Sequence, residues 1–111
     1  MDWKAHLADT SADIAAYRKA EPEVAAGFSA LHRGSMAEGD LSTKTKELIA
    51  LAIGVSSRCA DCIGFHVQAA AKAGATKAEI AEAVGVAVMM GGGPAYMYGV
   101  KALSAYDQLV G

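Results

Sequence analysis

Only two cysteines and two prolines occur in the 111 residues of this chain, and aromatic side chains make up 6% of it. Both prolines, Pro22 and Pro94, fall where helices would begin, and no stretch keeps the strict apolar and polar alternation of a half-buried strand. Lysine and arginine total 10 against 12 acidic residues, a net charge of -2, and they form no cluster, so a nucleic-acid partner is excluded. The opening Met1-Asp2-Trp3-Lys4-Ala5-His6 has neither the basic nor the apolar region of a secretory signal. The longest apolar stretch, Ile80 to Met97, is interrupted by Glu82 and three successive glycines, which argues against a bilayer span and a membrane partner. The expectation is a cytoplasmic protein. In that reducing compartment two close cysteines point to catalysis or metal binding rather than to a structural disulfide.

What the chain has in abundance is Ala, Val, Leu, Ile and Met, within a hydrophobic fraction of 53%. At this length there is room for one domain, which buries roughly 65% of the surface its unfolded chain exposes. Good helix formers dominate, and the boundary signals divide residues 1–111 into an all-α, compact bundle of about six helices. The first runs from about Trp3 to Lys19; the second starts at Pro22 and stops near Gly34. Ser42 caps a third over about Thr43 to Val55, and a fourth, capped by Ser57 or a neighbour, carries both cysteines and ends at Gly74. Thr76 with Glu79 forms a capping box that opens a fifth helix to about Met90. Gly91-Gly92-Gly93-Pro94 then permits a sharp reversal into a last helix, about Ala95 to Leu109.

Chemistry concentrates in Arg58-Cys59-Ala60-Asp61-Cys62-Ile63-Gly64-Phe65-His66. Residues three and four apart share a helix face, so Cys59, Cys62 and His66 form one stripe, a thiol pair with a base one turn beyond. The thiolate is the reactive form, and a neighbouring imidazole and a helix N-terminus both favour it. Glu47 stands twelve positions before Cys59, which completes the pattern Glu-x11-Cys-x2-Cys-x3-His.

With that pattern, the Ala-rich helices and the Thr76-Lys77-Ala78-Glu79-Ile80 helix start, the chain from about Leu41 to Leu109 resembles the alkylhydroperoxidase D-like branch of the carboxymuconolactone decarboxylase superfamily. The resemblance implies an all-α fold and a homo-oligomer, trimer or hexamer with the hexamer favoured. It also implies a thiol peroxidase or disulfide oxidoreductase with no bound cofactor, fed by a peroxide and an external dithiol donor. By the same resemblance Cys62 attacks the peroxide and Cys59 resolves the sulfenic acid, while Glu47 and His66 relay the proton off the thiol. Asp61 departs from the pattern, because the best-known members carry a second histidine between the cysteines. The helix dipole by itself favours the earlier cysteine, Cys59, as the nucleophile, whereas His66 four residues on favours Cys62.

Other readings of the same residues compete. Both cysteines could be small core residues, or Cys59, Cys62 and His66 with Glu47 could bind zinc, although structural zinc sites draw CxxC from a turn and their remaining ligands from a distant segment. A carboxylate early in a helix, such as Glu47, ordinarily faces solvent. His6 and His32 lie outside the motif and read as surface residues. Met89, Met90 and Met97 read as core or subunit-contact side chains, and Tyr96 and Tyr98 as packed rings with their hydroxyls at a polar rim. A lyase acting on a lactone-like acid and a non-catalytic thiol sensor are the alternative functions.

Overall fold

The computed structural model describes Met1–Gly111. It contains α1 (Trp3–Ala20), α2 (Pro22–Met36), α3 (Thr43–Ser56), α4 (Ala60–Lys72) and α5 (Lys77–Leu109), and no strand. The all-α expectation holds, with five helices in place of about six. The difference lies at Gly92, whose φ of 71° and ψ of -152° are the only non-helical values inside α5. That conformation is essentially restricted to glycine. The chain nonetheless reverses there, as the glycine run predicts: Lys77 Nζ lies 2.8 Å from Asp107 Oδ1, two groups that a straight helix would hold about 45 Å apart. Because α5 folds back on itself, neither arm has the length of about 20 residues that a bilayer span needs.

The core is where α3, α4 and the two arms of α5 meet. Leu51, Val55, Ile63, Val67, Ile80, Ala102 and Ala105 are fully inaccessible there. Trp3 joins this cluster from α1. Leu7 and Trp3 dock on Gly64 of α4, where an added Cβ would lie 2.8 Å from Leu7 and 3.0 Å from the Trp3 ring, so the missing side chain is what lets α1 approach. Gln108 secures the same end of α1: it accepts from the Trp3 backbone N–H at 2.8 Å and donates to the Met1 carbonyl at 3.0 Å. Beyond Leu7, α1 buries nothing, and α2 has no buried residue at all. The outer half of α1 and the whole of α2 therefore form an arm that leaves the core.

The caps explain where the helices start. Ser42 accepts from Thr45 N–H, and Thr76 and Glu79 form the reciprocal capping box that the sequence predicts. The Thr76 backbone N–H, and after it the ammonium of Lys44 2.9 Å away, hold the Glu79 carboxyl below the usual carboxylate range. A carboxyl depressed in the folded state stabilises the fold above its unfolded value near 4.3, and the contribution disappears as pH falls through the folded value. Glu79→Gln should accordingly lower the denaturation midpoint at pH 7 and match the wild type once the pH is low enough to protonate Glu79. Urea titrations at pH 7 and pH 3 measure this, and a deficit unchanged at pH 3 would contradict it.

Candidate active site

The thiol pair sits at a junction between two helices. At the end of α3 the Arg58 N–H donates to the Val55 carbonyl at 3.1 Å and the Cys59 N–H to the Gly54 carbonyl at 3.0 Å. This is a Schellman ending with Arg58 at its left-handed position, φ 56°. The same two bonds close α4, from Gly74 to Ala71 and from Ala75 to Ala70, but there Gly74 takes the positive φ, as its sequence position predicts. Arginine in that conformation is strained by about 1–2 kcal/mol, and the strain lies next to the first cysteine.

One consequence corrects the sequence reading. Cys59 is not inside α4; it is the extended N-cap residue, and its Sγ accepts from the Cys62 N–H at 3.2 Å. The end of α3 falls within a residue of the expected Val55, but with no glycine at position 58 nothing marks the left-handed residue that moves the cap of α4 to Cys59. Cys62 lies in the first turn of α4, and a disulfide joins the two residues with Cα atoms 5.2 Å apart. Cys62 also packs on α3: a Cβ added to Gly54 would lie 2.9 Å from the Cys62 Cβ, so glycine at 54 allows the two helices to approach at Cys62.

Glu47 points inward from α3 and is 4% exposed, against the ordinary preference of an early-helix carboxylate for solvent. Its Oε2 lies 2.7 Å from Nδ1 of His66 on α4. A buried carboxylate is costly unless it is paired and hydrogen-bonded, and this imidazole supplies the partner. Donation from Nδ1–H to the ionised carboxylate leaves Nε2 as the free nitrogen of the ring. His66 stands four residues after Cys62, one turn along the same face. The structure thus brings Glu47 to His66, and His66 to the helix face that carries Cys62.

His32, exposed as the sequence reading has it, and the partly buried His6 both reach this neighbourhood. His32 of α2 stacks on His66, with ring centroids 6.4 Å apart and planes inclined by 29°. His6 of α1 places Nε2 2.7 Å from Oδ1 of Asp61, the residue between the cysteines, and Thr10 donates to the same oxygen at 2.7 Å. Trp3, His6, Leu7 and Thr10 fall on one face of α1 by their spacing, so a polar pair within an apolar stripe is the signal that could have identified them. His32 has no comparable signal, because it reaches His66 only through the return of α2 alongside α1 and past α3. No group of three His, Cys, Asp or Glu side chains converges in the geometry of a metal site.

Between the outer half of α1 and α2 runs a groove of about 880 Å³. Ile14, Tyr17, Val24 and Phe28 line its length, and Thr10 and His32, the side chains that reach Asp61 and His66, also line it.

The chain as a whole is similar to known proteins. The chain is 43% identical, over all of both chains, to a carboxymuconolactone decarboxylase family protein from Legionella pneumophila whose crystal structure is of the apo form, with a TM-score of 0.94. It is 35% identical over 108 residues to an uncharacterised protein of Cupriavidus necator, covering 97% of this chain and 96% of that one. It is 38% identical over 101 residues, 91% of each chain, to uncharacterised protein 4 in the cox locus of Paracoccus denitrificans. The Carboxymuconolactone decarboxylase family profile matches residues 22–105, from the start of α2 into the second arm of α5. Shared length, shared fold and a profile that spans most of the helices establish that the chain belongs to the carboxymuconolactone decarboxylase family.

Proposed function

We propose that the protein is a thiol-dependent peroxidase or disulfide oxidoreductase of the alkylhydroperoxidase D-like type, acting in the cytoplasm through Cys59 and Cys62. The observation that carries this reading is the 2.7 Å Glu47–His66 pair on the face of α4 that bears a disulfide-forming CxxC. In the reduced protein, His66 Nε2 takes the proton of the Cys62 thiol, and the imidazolium so formed is stabilised by Glu47. The Cys62 thiolate attacks the distal peroxide oxygen, the O–O bond breaks, and the alkoxide leaves as the alcohol with the proton held by His66. Cys62 is then a sulfenic acid. The Cys59 thiolate attacks that sulfur and expels water after protonation, giving the Cys59–Cys62 disulfide. An external dithiol returns two electrons and restores both thiols.

The lyase reading finds less support, because a lactone acid has no use for a thiol pair poised to form a disulfide. A redox sensor shares the disulfide, but a sensor does not require a buried carboxylate behind the base. Glu47→Gln retains the size of the side chain and removes the charge that stabilises the imidazolium. Peroxide-driven oxidation of the reduced protein should slow by about 100-fold near neutral pH, the usual scale for general-base catalysis, and much of the loss should return at high pH where hydroxide ionises the thiol. Stopped-flow oxidation at a series of pH values measures this, and a wild-type rate at pH 7 would remove the relay from the mechanism.

The exposed apolar side chains support a homo-oligomer, and the family resemblance makes it a trimer or hexamer with the hexamer favoured. Phe28 in the groove is 68% exposed, and Met89 and Met90 near the α5 reversal are 72% and 75% exposed. No charged residue occurs from Ala83 to Val100, and Val86, Tyr96, Met97 and Val100 are also exposed along that stretch. Monomers seldom leave so many large apolar side chains of one segment exposed to water. Light scattering at micromolar concentration should return three or six chains, and a monomer would contradict the assembly.

A further inference from the structure

We propose that His6 is a positioning residue for the thiol pair, cancelling through Asp61 a negative charge that would otherwise oppose thiolate formation at Cys59 and Cys62. The proposal deepens the thiol-redox reading and shares its premise that the two cysteines ionise and react.

Asp61 occupies the second position of α4, between the cysteines, at the helix end whose partial positive charge and free N–H groups favour an anion. Its carboxylate and a cysteine thiolate therefore compete for the same stabilisation, and two negative charges this close in sequence disfavour one another. His6 reaches the carboxylate from α1, with Nε2 2.7 Å from Oδ1. The approach is one of charge: Nε2 is shielded from solvent and makes no aligned hydrogen bond, so Asp61 is its only compensation. The Trp3 ring, fully buried, meets the imidazole edge to face at 6.0 Å and fixes its position. Thr10 is the other α1 side chain on Asp61, and it is uncharged. No lysine or arginine lies within ion-pair distance of Asp61; Lys44 and Lys77 are engaged by Glu79 and Asp107, and Lys101 of α5 lies over the Tyr98 ring. The remaining titratable groups at the site, Glu47 of α3, His66 of α4 and His32 of α2, contact one another instead. His6 is thus the one basic side chain within ion-pair distance of Asp61; Arg58, beside Cys59, makes no ion pair with it.

The test is the rate of iodoacetamide alkylation of each cysteine in the reduced protein from pH 5.5 to 9.5, read by mass spectrometry. His6→Gln keeps a polar side chain but removes the charge. It should lower the rate at pH 7 by roughly three- to fivefold, the scale of one pair at a half-exposed site, and move the profile to higher pH. His6→Lys, which restores a cation, should recover most of the rate. Combined with Asp61→Asn, the His6→Gln change should have no further effect. A wild-type profile for His6→Gln would overturn the proposal, as would an equal loss in the Asp61→Asn background, which would mean that His6 acts through packing. Should His6→Gln fail to fold, Asp61→Asn alone decides: the rate at pH 7 should equal or exceed that of the wild type, and a fall would overturn the proposal. Alkylation requires no peroxide, so a protein without peroxidase turnover could still show the His6 dependence, and a peroxidase could lack it.

Discussion

A carboxylate enclosed between two helices must find a charge-compensating partner, and in this protein that requirement joins α3 to α4. Glu47 is buried where α3 faces the core, and His66 is the group that satisfies it. The pairing sits on the same α3–α4 contact as the close approach of Gly54 to Cys62. Removing the imidazole would leave an unpaired buried charge, a costly arrangement. The same contact that stabilises the helix pair therefore orients the His66 ring, one turn beyond Cys62 on α4.

Around that pair, each neighbouring element contributes one group. The Schellman ending at Arg58 delivers Cys59 as the cap of α4, so its sulfur receives an N–H from the helix it caps. The start of α1, seated on Gly64, carries His6 and Thr10 to Asp61. The arm formed by α2 returns His32 to the face of His66. Two imidazole–carboxylate contacts consequently serve the thiol segment. One is buried and hydrogen-bonded through Glu47, and the other is half-exposed and electrostatic through Asp61. The apolar groove between α1 and α2 shares Thr10 and His32 with these contacts, so whatever covers it lies beside the redox centre.

Much of this was legible in the residues because it depends on local chemistry. The capping box at Thr76 and Glu79, the Ser42 cap, the Gly74 ending and the reversal at the glycine run each follow from one or two side chains with specific backbone preferences. The Glu47 and His66 spacing was legible as a pattern, and the structure brings the two side chains together. The count of about six helices differed because a single glycine turns the chain within α5. The start of α4 was misread because an arginine occupies a position where glycine is the usual marker. His6 and His32 were not recognised because nothing local distinguishes them; they reach the site through the docking of α1 and the return of α2 alongside it, which depend on contacts far apart in sequence.

The central claim is that Cys59 and Cys62 turn over as a redox pair. Steady-state consumption of an organic hydroperoxide in the presence of a dithiol reductant, comparing the wild type with Cys62→Ser, tests it most directly. Sustained multiple turnovers by the wild type, with loss of activity in Cys62→Ser to the uncatalysed background, is the result expected. A single stoichiometric oxidation of the wild type, or equal turnover by both proteins, would contradict the account.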